Sequence, residues 1–388
     1  MRLRVTLACF FAYFVMSGML APIGIVLPSL AEFLAVPVES AAALFSWLTF
    51  GILLGSALAL VVFDMLSMRV WLAILYLAIA VALLLLRLTE SLMLIKLALG
   101  VVGTACGIGL AGAASTITQL YAEDRRASML VITDGSFSVA GIVVSSLAVF
   151  CVAAGFHWAA AYVAVAGVAL VIVALVLTSP VPDAPKRAAT MTSSGRWPLP
   201  VWLCIAALFL YTLGQYSLLW WLPSYLELTL GAERDAAGQV VARFWTGMLI
   251  AQLFVAWWVL RIGARRLVLL CVMGAFVGSI PLWTVGELSL LPWLALLWGI
   301  ANLGLLKIVI AFATLAVTNP GPRLVAALLF GATSGTAISP AATSVIAANS
   351  SIVQVLRFGS LCYFVLMLLV FGAWLASRQS NAEHVRTP

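Results

Sequence analysis

The sequence predicts an all-α membrane protein in which twelve transmembrane helices form two pseudo-symmetric six-helix bundles. The first observation is composition: of 388 residues, 65% are hydrophobic and only 9% are charged, and the mean hydropathy is +1.19. The second is the recurrence of apolar runs of about 20 residues, the length that spans the hydrocarbon core of a bilayer. The third is an internal duplication, which makes the two halves of the chain versions of one unit.

The duplication is clearest in two hexapeptides. Leu27–Glu32 reads LPSLAE and Leu222–Glu227 reads LPSYLE, 195 residues further along. Arg69 and Arg266 keep nearly the same offset, at 197 residues. We therefore expect an N-terminal bundle over residues 1–179 and a C-terminal bundle over residues 198–388. The Pro- and Ser-rich segment between them, residues 180–197, is expected to be a cytoplasmic linker.

The apolar runs divide into twelve segments at clusters of charged and turn-forming residues. Open strands would leave backbone groups unpaired in lipid, and the runs are too long for barrel strands, so each segment is predicted to be a helix. The segments are residues 6–34, 41–63, 69–87, 91–121, 127–154, 157–179, 198–229, 238–260, 266–286, 289–318, 323–349 and 352–376.

The basic residues predict the orientation. If the N-terminus is cytoplasmic, fourteen Lys and Arg residues lie on the cytoplasmic side and five on the other side. Cytoplasmic loops carry an excess of Lys and Arg, so both termini are predicted to be cytoplasmic, in a bacterial inner membrane. The first apolar run is longer than the core of a cleaved signal and continues into further spans, so we interpret it as a retained helix.

Several other classes of function lack support in the sequence. The formal charge of +7 is explained by orientation, and no nucleic-acid partner is predicted. The six cysteines are scattered singly through apolar runs, a pattern that suggests neither a metal site nor a disulfide framework. Nucleotide-binding and nucleophile motifs are lacking, and both histidines fall at loops or tails. We expect no cofactor and no enzymatic activity.

Residues 118–142 carry a more specific likeness. Thr118–Tyr121, the pair Arg125 and Arg126, and Thr133–Ile142 resemble the stretch from span four to span five of TsgA-type proteins. These belong to the fucose-permease-like branch of the major facilitator superfamily, and six plus six helices joined by a cytoplasmic linker is that superfamily's architecture. The resemblance implies proton-coupled movement of a small polar solute, with sugars as the substrates of the better-understood relatives.

The chain departs from that branch at two positions. Its sugar permeases have one acidic residue within span one and another within span four. Here the helical register places these positions near Gly24 and Leu110, neither of which ionises. Sugar–proton symport by that pair of residues is therefore not expected.

Lys307 is the first candidate site residue, because an ionised side chain at bilayer depth costs roughly 2.5–3.5 kcal/mol on insertion scales. It lies near the middle of span ten, which by the superfamily pattern lines the central cavity, and helical spacing places Ile300, Ala311 and Thr314 on its face. The functional interpretation is that Lys307 binds an anionic group or takes part in proton coupling. The structural interpretation is a permanent ion pair, or a long stem that reaches water.

Asp134 is the second candidate, about two turns inside span five. Ser138, Gly141 and Ser145 follow it on the same face. Asp134 could be a protonation site or a gate that pairs with the second half. The small residues are better explained as a seam that allows close helix packing.

Span seven supplies a third group. Tyr211, Gln215 and Tyr216 combine aromatic faces with an amide, which suits stacking and hydrogen bonding to a planar or sugar-like solute. Trp220 and Trp221 lie nearer the outer end, and for them we favour an interfacial aromatic belt.

Charged residues near the membrane surfaces predict gates. Asp64 and Arg69, with Arg261 and Arg266 in the second half, lie where the superfamily places its cytoplasmic gating motif, and we expect them to pair at the inner gate. Glu32 and Glu227 lie at matched outer ends, in interface salt bridges or among lipid headgroups.

Together these features predict a monomeric secondary active transporter that moves a small polar or anionic solute by alternating access, with protons as the coupling ion. One alternative is a proton-driven efflux pump for a drug or a metabolite such as a siderophore-like compound. An alternative of another class is a transporter-like sensor that binds a ligand without moving it.

Overall fold

The computed structural model describes residues 2–63, 65–121, 123–182, 197–302, 304–317 and 322–386, and over these ranges its regular elements are all helices. The helices are α1 (Arg2–Leu20), α2 (Ile23–Leu34), α3 (Val38–Val62), α4 (Met68–Leu88), α5 (Leu92–Leu120), α6 (Glu123–Ala153), α7 (Ala160–Leu177), α8 (Leu199–Leu228), α9 (Arg234–Ile262), α10 (Ala264–Ser279), α11 (Pro281–Thr284), α12 (Leu291–Ala301), α13 (Leu305–Thr314), α14 (Pro322–Asn349) and α15 (Ile352–Arg386).

These helices account for the twelve predicted segments. Eleven described segments are long and apolar enough to cross a membrane. The predicted segment 238–260 lies within α9, which is not among those eleven. The prediction of an all-α membrane protein is confirmed. Most of the predicted linker, residues 183–196, lies outside the described residues, and the domain boundaries stay a prediction.

Three of the predicted segments are each divided into two helices. The first breaks at Ala21 and Pro22, between α1 and α2, where proline lacks the N–H that would continue the ladder. The ninth breaks before Pro281, which begins α11. The tenth breaks between α12 and α13, where Gly304 adopts a left-handed conformation with φ of 48°, which glycine does without a steric penalty. Span ten is therefore two half-helices within the candidate membrane span Leu291–Thr314.

Paired glycines bring helices together within each half. A Cβ atom on Gly103 of α5 would lie 2.0 Å from the carbonyl oxygen of Leu48 in α3, and one on Gly299 of α12 would lie 2.1 Å from that of Phe244 in α9. Gly103 and Gly299 are 196 residues apart. Close approach through small residues is a general device of membrane helix packing. The same device at matched positions agrees with the duplication.

We expect Gly103→Leu to destabilise the N-terminal half. Its side chain would have to displace backbone, and overpacking of this kind costs about 1–3 kcal/mol or more. Thermal unfolding in detergent should show a lowered midpoint. Gly167→Leu is the matched control, since a Cβ at Gly167 meets nothing within 4 Å. Equal unfolding temperatures for the two variants would contradict the role of the α3–α5 crossing.

The two halves contact each other through α2 with α8, α3 with α14 and α6 with α9. We call the end of the molecule that carries Glu32 the outer end, following the predicted orientation. Residues 15–28 and residues 211–226 are buried without interruption. The parts of α1 and α8 nearer the other end have partly exposed faces, at Phe14 and Trp202 for example. The halves are thus closely packed from mid-membrane to the outer end.

Candidate functional site

The outer closure is centred on Trp220 of α8. Its indole Nε1 donates a hydrogen bond to the carbonyl oxygen of Leu20 in the first half at 2.9 Å, and its ring stacks on Tyr216 with centroids 4.5 Å apart. Trp220 is 2% exposed and Trp221 is 1% exposed. The interfacial-belt interpretation of these two residues was wrong. Trp220 is a buried contact between the halves.

Gly24 completes this contact from the other side. A Cβ atom on Gly24 would lie 2.5 Å from the carbonyl oxygen of Trp220, so the backbones of α2 and α8 touch here. An acidic side chain at Gly24 would need space that this arrangement does not have. Gly24 therefore allows direct packing of the two halves.

Beyond Trp220, an ion-pair clamp joins the halves at the outer end. Arg234, the first residue of α9, pairs with Glu32 of the first half and with Glu227 at 2.8 Å. The two carboxylates end the two copies of the duplicated hexapeptide. The hydrogen bond to Glu32 and, to a smaller extent, the hydrogen bond to Glu227 raise the pKa of Arg234. The salt-bridge interpretation of Glu32 and Glu227 is confirmed, although such exposed pairs stabilise by only about 0.2–1 kcal/mol each.

The small residues of α6 form a seam with α9. Ser138 Oγ donates to Gln252 Oε1 at 3.0 Å, and a Cβ atom on Gly141 would lie 2.4 Å from the indole of Trp245. The packing interpretation of this stripe is confirmed. Asp134 lies in α6, but its side chain falls outside the described residues, and its role stays a prediction.

The three candidate residues of α8, Tyr211, Gln215 and Tyr216, do not share one environment. Tyr216, stacked on Trp220, lies at the junction of the halves. Gln215 is 4% exposed, and its amide nitrogen contacts Met248 Sδ at 3.9 Å. A thioether is a weak acceptor, so this amide could exchange the contact for a solute at little cost.

Tyr211 faces another way, towards α15. Its ring makes an edge contact with Tyr363, with centroids 6.3 Å apart. Tyr363 in turn donates to Asn302 Oδ1 at 2.7 Å. Tyr211 is thus linked to the break in span ten, while a direct contact between Tyr211 and a solute stays a prediction.

Lys307 lies in the first turn of α13, directly after that break. Asn302 holds the end of α12 through its amide, which donates to the carbonyl oxygen of Trp298 at 2.8 Å. The break also means that Ile300 does not continue the helical face of Lys307, so this part of the prediction was wrong. Ala311 and Thr314 remain on that face, which is the more exposed side of α13, whereas Ile308 and Phe312 are buried.

Lys307 and the start of α13 bring positive charge to the same place. The N-terminal end of a helix carries a partial positive charge, which disfavours a cation and favours an anion. The lysine and the helix start together suit a negatively charged group.

The predicted inner gate is described only in part. Arg69 is exposed, and its guanidinium donates to the carbonyl oxygen of Leu177 at the end of α7. Arg261 and Arg266 are exposed near the junction of α9 and α10. Asp64 lies outside the described residues. The pairing of these four residues at an inner gate stays a prediction.

Sequence reasoning missed three residues that organise this region. Arg234 contributes only to the predicted orientation, because its partner Glu32 lies 202 residues away in the sequence. Asn302 and Gly304 interrupt an otherwise apolar run, which is a recognised signal of a helix break. No pattern in the sequence distinguished a buried Trp220 from a belt residue.

Comparison with known proteins places these features in a family. The sequence model described as Major Facilitator Superfamily matches residues 9–328. The chain is 26% identical over 383 residues to Protein TsgA of Salmonella schwarzengrund (strain CVM19633) and to Protein TsgA of Salmonella newport (strain SL254). Each alignment covers 97% of this chain and 96% of the relative.

Solved structures agree in fold. A D-xylose-proton symporter superposes with a TM-score of 0.76 at 18% identity, covering 97% of both chains. The nucleoside transporter NupG gives 0.73 at 12% identity, covering 96% of this chain and 99% of that one. An inward-facing bacterial homologue of the human lysosomal transporter Spinster gives 0.70 at 16% identity, covering 97% of both chains.

Proposed function

Because the chain belongs to the Major Facilitator Superfamily, we propose that it is a secondary active transporter for a small polar or anionic solute. It moves the solute across the bacterial inner membrane by alternating access between its two halves, and protons drive the movement. Both termini are cytoplasmic in this proposal.

The observation that carries the proposal is the uneven burial of the matched helices. Residues 15–28 and 211–226 are buried on every side, whereas the remaining parts of α1 and α8 are partly exposed. A rigid membrane anchor would have no need for this difference. A protein whose halves rock about a central site would be packed at one end and open at the other.

The chemistry of the central residues supports a polar or anionic solute. Tyr216 and Gln215 offer a ring face and an amide just below Trp220. Lys307 and the start of α13 offer positive charge from span ten. The solved neighbours are named for D-xylose and nucleosides, both of which are hydroxylated polar solutes, and this favours a related class here.

In this proposal, proton coupling does not use the two acidic residues that the sugar permeases of the branch carry in spans one and four. Gly24 has no room for an acidic side chain, and the other position of the pair is Leu110. Asp134 is the carboxyl group that α6 carries into the membrane region, and we assign the proton to it. The neighbouring seam between α6 and α9 joins the halves, so protonation of Asp134 would be well placed to influence their packing.

Proteoliposomes with an imposed pH gradient test this function. Candidate solutes are first chosen by thermal-shift screening of the purified protein against a metabolite library at two pH values. We expect solute flux in wild-type vesicles that stops when an ionophore collapses the gradient. The direction of flux relative to the gradient separates import from the alternative of proton-driven efflux. A rate unchanged after collapse would contradict proton coupling.

A further inference from the structure

Two apolar grooves lie side by side on the surface of the N-terminal half. The first, between α4 and α5, has a volume of about 460 Å³ and is lined by residues from Ile74 to Leu85 of α4, by Thr89 just after it, and by residues from Leu94 to Val101 of α5. The second, between α3 and α5, has a volume of about 630 Å³ and includes Lys96 in its lining. Both have the size of small-molecule sites.

The two grooves meet in the middle. Ala78, Leu97 and Val101 line both of them. The second groove owes its depth to glycine. A Cβ atom on Gly100 would have Trp47 as its nearest neighbour at 3.9 Å, so the space beside Gly100 is open. The pair of grooves therefore forms one forked apolar surface with Leu97 between its branches.

Positive charge lies at the outer end of this surface. Lys96 is in the second turn of α5 and is partly buried, and in the described part of the chain no carboxylate is within ion-pair distance of it. Ser91 at the start of α5 makes no side-chain cap, so the helix end adds a partial positive charge. Arg87, at the end of α4, and Glu90, in the short loop before α5, are the exposed charged neighbours in sequence.

We propose that this surface binds one diacyl phospholipid of the outer leaflet, with its phosphate at Lys96 and the start of α5 and one acyl chain in each groove. A forked apolar surface matches two chains on one headgroup. A lysine at the rim can extend its ammonium group to the headgroup level while its stem packs in the groove. The site lies on the lipid-facing side of the N-terminal half, so this proposal is independent of the transported solute.

Native mass spectrometry of the full chain in detergent tests the site. The probes are phosphatidylglycerol and a diacylglycerol with the same acyl chains, which lacks the phosphate. We expect wild-type protein to retain one phosphatidylglycerol in preference to diacylglycerol. Lys96→Gln should weaken phosphatidylglycerol binding about fivefold, the effect of one basic residue near a membrane surface. Lys96→Arg should restore it.

Two further variants separate this site from general lipid contact. Arg357→Gln removes an exposed cation at the start of α15 and should leave phosphatidylglycerol binding unchanged. Gly100→Leu fills the second groove with the charge intact, and should weaken binding of both lipids. The proposal fails if wild-type protein does not distinguish the two lipids. It also fails if Lys96→Gln binds phosphatidylglycerol as wild type does, or no more weakly than Arg357→Gln.

Discussion

Lys307→Ala should reduce solute transport about tenfold to a hundredfold while leaving the fold intact. A hydrogen bond to a charged group contributes about 1.5–3 kcal/mol, and each 1.4 kcal/mol corresponds to a factor of about ten. The side chain lies in the first turn of α13, on its more exposed face, so its loss should leave the buried face of that helix in place. The measurement is initial uptake in proteoliposomes with matched protein content.

The controls distinguish a charge effect from a packing effect. Lys307→Arg keeps the positive charge on a larger guanidinium group, and should retain part of the activity. Lys307→Gln keeps most of the length without the charge, and should resemble Lys307→Ala. Unfolding temperature in detergent should stay close to wild type for all three variants. Wild-type transport by Lys307→Ala would remove this residue from the site.

The break in span ten shows which parts of the site could be predicted from sequence. Counting along an apolar run predicts that Lys307 lies deep in span ten; the residue falls within the candidate span Leu291–Thr314, and its depth in the bilayer stays a prediction. The placement of Ile300 on the same helical face was wrong, because that inference assumed an uninterrupted helix across Asn302 and Gly304. The left-handed Gly304 is a local break that a glycine in an apolar run can signal. The bond from Tyr363 to Asn302 is a tertiary feature, with partners 61 residues apart.

The contacts between the halves illustrate the same limit. The duplication is visible because sequence repeats keep their offset, and the paired glycines Gly103 and Gly299 keep it too. Which residues meet across the halves depends on how the bundles pack, and this leaves no periodic signal. Trp220 was assigned to the membrane surface for this reason, and Arg234 was not connected with Glu32. Function at such a junction depends on the least predictable contacts.

The closed outer end makes Gly24 the position where a small change should have a large conformational effect. A Cβ atom there would lie 2.5 Å from the backbone of Trp220, and backbone cannot move aside as a flexible side chain can. Overpacking of about 1–3 kcal/mol would act on the packed outer end and would be relieved when the halves separate there. By population-shift arithmetic, this lowers the closed population relative to the open one about fivefold to 150-fold.

We therefore expect Gly24→Leu to expose residues that the outer closure buries. Ser224, fully buried in the outer part of α8, is a suitable reporter as Ser224→Cys in a chain whose six native cysteines are replaced. A membrane-impermeant maleimide should label this cysteine slowly in the parent and much faster with Gly24→Leu. Gly167→Leu, which adds the same side chain where a Cβ has no neighbours within 4 Å, should label like the parent. Equal labelling with Gly24→Leu would contradict the role of the contact between Gly24 and Trp220 in holding the outer end shut.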